Sequence, residues 1–154
     1  MSAAPVTKRD VALHVWERCL HLPYRWGGDD PMEGFDCSGL VILGLQAAGV
    51  FPGRHGADAT ADSLLNEFFR DKPHLAPHLL RPGCLLFWQR GSRIGHVEIV
   101  WTILLDDAGN RTVITIGAAG GGSRTTDEEA ASSQNAFVKV HPAAPGWFAA
   151  IDPF

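Results

Sequence analysis

Cys37 is the residue of this chain best placed to act as a nucleophile. It stands in Gly34-Phe35-Asp36-Cys37-Ser38-Gly39, a polar, glycine-flanked turn just ahead of an apolar helical stretch. A cysteine in the first turn of a helix meets unpaired backbone N–H groups and the positive helix end, both of which favour a thiolate. Such a nucleophile needs a base, usually histidine, supplied from elsewhere in the fold. Of the seven histidines, His14 and His21 fall in the first helical region, and His55, His74 and His78 in Pro/Gly-rich loops, while His141 precedes Pro142. These six read as surface or packing residues. His96 differs because it opens a strand just after Ile94-Gly95, where its ring can face another element while Val97 and Ile99 point into the core. Alternation puts Glu98 on the same face, where a carboxylate could orient the imidazole and favour its protonated form. Two strand residues span about 6.6 Å, so a solvent-facing or ion-paired Glu98 running parallel to His96 is an equal alternative. The other two cysteines, Cys19 on an apolar helical stripe and Cys84 at the head of Leu85-Leu86-Phe87-Trp88, read as core residues.

The elements that would position these groups change period halfway along the chain. Thr7-Lys8-Arg9-Asp10 reads as a capping box, after which Val11, Val15, Cys19 and Ala12, Trp16, Leu20 recur at helical spacing until Pro23. Tyr24 to Phe35 reads as a Gly/Asp/Pro-rich loop. Asp36 then N-caps a helix from Cys37 to Ala48, stopped by Gly49. After a loop with Pro52, Gly53 and Gly56, Thr60 to Arg70 reads as a third helix, and Pro73, Pro77 and Pro82 break the chain beyond it. The second half reads as strands: Cys84 to Gln89, His96 to Leu105, Arg111 to Ile116, Ala136 to His141, and a short one within Trp147 to Ile151. Arg90 to Gly95 and Asp106 to Asn110 read as turns, and Gly117 to Asn135 as a long surface loop. Helices first and antiparallel strands afterwards predict an α+β domain rather than alternating βαβ units.

Composition narrows the function. With 154 residues, 45% of them hydrophobic, the chain is the size of one domain, residues 1–154, and folding should bury roughly 70% of its extended surface. The 17 Gly and 10 Pro argue against a helical bundle. A net charge of −4, with Lys and Arg scattered singly, gives no footprint for nucleic acid. Three widely spaced cysteines make neither a disulfide framework nor a zinc pair, and no metal or cofactor is expected. Met1 to Asp10 lacks an apolar signal-peptide core and no run approaches 18 apolar residues, so neither a signal peptide nor membrane insertion is expected.

Three blocks carry a resemblance. Pro23-Tyr24-Arg25-Trp26-Gly27-Gly28, then Phe35-Asp36-Cys37-Ser38-Gly39-Leu40-Val41, then Gly95-His96-Val97 closely resemble the signatures of the NlpC-type papain-like cysteine peptidases, which cut peptidoglycan stem peptides. His96 lies 59 residues beyond Cys37, a normal separation for that family, and Pro82-Gly83-Cys84-Leu85-Leu86-Phe87 is similar to its strand entry. The resemblance implies a papain-like fold, with N-terminal helices on an antiparallel sheet of about five strands. It implies Cys37 as nucleophile and His96 as the base that later protonates the leaving amine. Tyr24 would supply a hydroxyl that joins the Cys37 backbone N–H around the oxyanion, and Asp36 and Ser38 would contact the free amine of the stem's first alanine.

Two stretches depart from the family. It supplies a third polar residue from the strand after the histidine strand, but Thr115-Ile116-Gly117-Ala118-Ala119 has only Gly or Ala where that side chain would stand. The orienting acceptor would then be Glu98, a backbone carbonyl near Gly117, or nothing. Gly120-Gly121-Gly122-Ser123 and its polar sequel would form a mobile lid or an assembly surface. The expected activity is hydrolysis of an amide bond in peptidoglycan stem peptide through a thioester. The alternatives are an amidase or acyltransferase on another acyl donor, and a structural tail or secretion module with an inherited site. The intact Cys37 and His96 weigh against the last. Made in the cytoplasm without a signal peptide, the enzyme would reach the periplasm or wall by delivery. A phage tail fits best, and a secretion system or a holin-released lysis enzyme is compatible.

Overall fold

The computed structural model describes residues 2–51 and 59–154; His55 and the expected turn at Pro52, Gly53 and Gly56 lie outside the described residues. Helix α1 spans Lys8–Arg18 and opens on the expected box: the Thr7 hydroxyl accepts from the Asp10 N–H at 3.1 Å, and the Asp10 carboxylate accepts from the Thr7 N–H at 2.8 Å. It ends before Pro23 is reached, because the chain reverses at His21, where φ is 72°. Cys19 caps it and is buried.

The expected loop after Pro23 contains a small ladder, β1 (Asp29–Asp30) paired with β2 (Gly34–Phe35). Helix α2, Cys37–Ala47, follows at once. Every residue from Cys37 to Ile42 is buried, as are Gly44 and Leu45, so α2 is covered nearly all round. Such a helix shows little apolar periodicity and is held by packing rather than propensity.

The α1–α2 contact turns on Trp16, whose Nε1–H donates to the Leu40 carbonyl at 3.0 Å. Its indole lies flat against Gly44: a Cβ there would come within 2.2 Å of Nε1. Gly44→Ala should therefore force Trp16 aside and cost about 1–3 kcal/mol, which lowers Tm by roughly 5 °C. A thermal melt matching wild type would contradict this packing.

The third helix differs from expectation. Thr60 caps a single α turn, α3 (Ala61–Ser63), and the chain then widens into a π turn, Leu64–Phe68, closed by the Phe69 N–H donating to the Leu64 carbonyl at 2.9 Å. The wider turn brings Leu64, Leu65 and Phe69 into the core together, a spacing that an i, i+3, i+4 pattern does not distinguish from an ordinary helix.

The second half forms one antiparallel sheet of β3 (Leu85–Arg90), β4 (Arg93–Leu105), β5 (Arg111–Ala119), β6 (Phe137–Pro142) and β7 (Ala149–Ile151), in the order β6-β5-β4-β3-β7. The α+β reading and the five strands hold. The expected turn over Arg90–Gly95 shrinks to Gly91 and Ser92, because Arg90 pairs with Arg93 and Gln89 with Ile94. The stretch read as one surface loop divides: β5 runs on to Ala119, Thr125 is fully buried, and α4 (Glu128–Ser133) is capped by Asp127.

Leu85, Phe87, Val97, Ile99 and Ile116 face the main core with α1 and α2. Leu86, Val100 and Ala150 build a second cluster with Leu80 and Cys84. The chain ends are tied: Arg9 donates both to the Asp152 carboxylate, at 2.6 and 2.8 Å, and to the Pro82 carbonyl, while Arg81 reaches Asp152 at 2.9 Å. No helix of the described residues is long and apolar enough to cross a membrane.

Candidate active site

The N-terminus of α2 and the start of β4 meet at a cleft of about 690 Å³ lined by Tyr24, Asp36, Cys37, Ser38, His96 and Glu98 among others. All six residues singled out in the sequence are thus brought to one place. Cys37 is 9% exposed at the first position of α2, where its backbone N–H is one of the unpaired donors of a helix start. Asp36 fixes that start. Its Oδ1 accepts from the Gly39 N–H at 2.7 Å and the Ser38 hydroxyl at 3.1 Å, and its Oδ2 from the Gly27 N–H at 3.1 Å. Burial nonetheless pushes the Asp36 carboxyl above the usual carboxylate range.

Alternation along β4 sends Val97 and Ile99 into the core and leaves His96 and Glu98 facing the cleft. The two side chains converge rather than running parallel into solvent. Glu98 is 2% exposed, and its Oε1 lies 2.9 Å from His96 Nε2. An ionised carboxylate only accepts, so Nε2 carries the hydrogen and Nδ1 is left for the thiol. The ring also lies against Trp88, its cross-strand partner on β3, with centroids 5.6 Å apart. Burial alone would lower the His96 pKa, but hydrogen bonding to Cys37 and Glu98 outweighs it and raises the imidazole to about 9. For Glu98 burial pulls upward, and hydrogen bonds from His141, His96 and Thr115 together with the His96 charge bring it down to about 2.

His141, read from the sequence as a surface or packing residue, is corrected by that contact. Its Nε2 lies 3.0 Å from the same Glu98 Oε1, while the Thr115 hydroxyl donates to Oε2. The only signal was strand pairing, since Thr115 and His141 are cross-strand partners on β5 and β6. Gly117 leaves the space in which Glu98 lies: a Cβ on it would come within 2.6 Å of Glu98 Cγ and 2.9 Å of Cδ.

Tyr24 is 5% exposed and pinned by its N–H donating to the Ala136 carbonyl at 3.1 Å. Its hydroxyl is held well above the usual phenol range, by burial first and then by the negative charge of Cys37 and Asp36. It therefore enters the cleft as a protonated donor. The Gly120–Gly122 segment is anchored: the Gly122 N–H donates to the Thr125 hydroxyl, and the Trp26 N–H to the Thr125 carbonyl at 2.7 Å.

A cysteine at a helix start, an imidazole and a carboxylate in sequence is a nucleophile–base–orienter arrangement. Comparison with known proteins gives it a family, because NlpC/P60 matches residues 21–140. The chain belongs to the NlpC/P60 family. Over 86 residues it is 37% identical to the "Probable endopeptidase YafL" of Escherichia coli, covering 54% of this chain and 31% of that protein. Over 96 residues it is 29% identical to the "Gamma-DL-glutamyl hydrolase" of Bacillus subtilis, covering 62% and 21%. The chain thus spans less than a third of either relative. The fold matches the NlpC/p60 domain of the peptidoglycan hydrolase SagA with a TM-score of 0.55 at 21% identity, over 94% of this chain and 97% of that one. The match begins ahead of Tyr24 and ends just short of His141, so the NlpC/P60 region holds all six expected residues and leaves the second histidine at its edge.

Proposed function

We propose that this NlpC/P60 domain is a cysteine peptidase that hydrolyses an amide bond in peptidoglycan stem peptides through a Cys37 thioester. The observation that carries the reading is the His96 ring, held by Glu98 and lining the same open cleft as Cys37 at the start of α2. The names of the E. coli and B. subtilis relatives, an endopeptidase and a glutamyl hydrolase, support the same chemistry.

In this reading the Cys37 proton already resides on His96 Nδ1, and the sulfur attacks the carbonyl carbon. The electron pair displaced onto oxygen is met by the Tyr24 hydroxyl and the Cys37 backbone N–H, donors of a kind that contribute about 3–4 kcal/mol in the transition state. Collapse breaks the C–N bond, and the imidazolium gives its proton to the departing amine. Water, deprotonated by His96, then attacks the thioester and releases a carboxylate and the thiol. The buried Asp36 carboxylate, with Ser38 beside it, offers a charge complement to a free amine on the acyl portion of the substrate.

Purified sacculi of several stem-peptide chemistries, digested with the protein, should yield fragments carrying a new free amine by mass spectrometry. Failure on every wall type, with Cys37 inert to iodoacetamide at neutral pH, would overturn the enzyme reading. Cys19 and Cys84 are buried and should not interfere. As the setting we propose local wall opening by a phage tail. Tail genes beside the coding sequence are the expected finding, and an immunity gene in their place would move the proposal to a secreted effector.

A further inference from the structure

Glu98 reaches His96 from an unusual direction for an orienting group, since both belong to β4. One step beyond the Ile99–Ile116 pair, residues 98 and 117 face each other on adjacent strands. Gly117 contributes no side chain there, and the Glu98 arm passes through the space it leaves. The carboxylate then ends among donors from three strands: His96 on β4 and His141 on β6 share Oε1, and Thr115 on β5 holds Oε2. A glutamate has three rotatable bonds, and without those anchors nothing would keep its carboxylate beneath the imidazole.

We propose that His141 is a positioning residue for the Cys37–His96 pair. With Thr115 it fixes both oxygens of Glu98, and Gly117 is the glycine that lets a β4 carboxylate replace a side chain from β5. The assignment rests on the nucleophile–base reading of Cys37 and His96. Because Glu98 is acceptor-only, His141 must present Nε2–H to it. That second donor on Oε1 limits how strongly the carboxylate can pull on His96 and sets the direction of the pull. The titratable and charged groups lining the cleft with Glu98 are Cys37 on α2, His96, Arg90 and Arg93 on the β3–β4 hairpin, His141 on β6, Asp62 on α3, and Tyr24 and Asp36.

The experiment compares His141→Phe, His141→Gln and Gly117→Ala, alone and with Glu98→Ala. It reads stem-peptide cleavage, Tm, and the pH dependence of Cys37 alkylation by iodoacetamide. His141→Phe should lower kcat by about tenfold or more with KM little changed, as expected for a misplaced group that does not touch substrate, and should move the alkylation profile. His141→Gln keeps an N–H at the same reach and should recover most of that loss. Gly117→Ala should behave like His141→Phe. Neither should cost anything further once Glu98 is alanine, the mark of residues acting through one group. Wild-type rate and alkylation profile in His141→Phe would overturn the proposal, as would equal losses in the Phe and Gln variants or additive losses with Glu98→Ala. If the wild type cleaves no stem peptide, the substrate reading fails, while the alkylation profiles still decide the role of His141.

Discussion

Cys37→Ala should abolish release of new amines from peptidoglycan, lowering kcat by about 10⁴-fold or more, with Tm nearly unchanged. Removing the nucleophile of a catalytic unit costs about as much as removing the whole unit, and what survives is binding and oxyanion stabilisation. The fold should not depend on this thiol. Cys37 is packed at the start of α2, but the helix is anchored by the Asp36 cap and by Leu40, Val41 and Leu45, all fully buried. Alanine has the higher helix propensity, and the change removes one sulfur at the rim of the cleft. Cys37→Ala retaining even a tenth of wild-type turnover would show that another group attacks the carbonyl.

Glu98→Gln should lower kcat/KM by roughly 10²- to 10⁴-fold, as loss of an orienting carboxylate does elsewhere, and should pull in the alkaline limb of the activity profile. In the wild type the imidazolium persists to about pH 9 because Cys37 and Glu98 hold its proton against the penalty of burial. Without the carboxylate that limb should move toward neutrality.

The same contact makes stability depend on pH. Glu98 titrates near 2 when folded against 4.5 ordinarily, so its contribution is complete above pH 4.5 and is lost as pH falls toward 2. His96 is raised to about 9 from 6.5, so its contribution is complete below pH 6.5 and is lost as pH rises through 9. The two shifts share the His96–Glu98 contact, but Cys37 also acts on the imidazole and His141 and Thr115 on the carboxylate, so they are not added. Urea midpoints should therefore be highest between about pH 4.5 and 6.5 and flatten in Glu98→Gln. Wild-type kcat/KM in that variant would remove Glu98 from the mechanism.

Much of the site could be read from residue order because its parts are local. Asp36 caps the helix that carries Cys37, and both roles are written in four consecutive residues. His96 and Glu98 share a face through the two-residue period of a strand, though whether the side chains converge depends on what surrounds them. That surrounding was illegible. His141 lies 43 residues from Glu98, and its contact depends on the pairing of β4 with β5 and of β5 with β6, which no local pattern encodes. Gly117 looked like the loss of an orienting residue, yet it leaves the space through which Glu98 reaches His96 Nε2. The fold shows a similar division. The capping box at Thr7–Asp10 and strand alternation were plain, while the π turn at Leu64–Phe68 and the helix at Glu128–Ser133 depend on how buried residues such as Leu65 and Thr125 are accommodated.

The clasp of Arg9 and Arg81 on Asp152 has a consequence for attachment. Arg9 lies in the first turns of the first helix, Asp152 two residues from the last, and the Arg9 guanidinium also covers the Phe154 ring at 4.7 Å. The start of α1 and the residues after β7 therefore lie side by side on the domain. A segment joined to either side would grip the domain at the same spot and hold it in the same orientation.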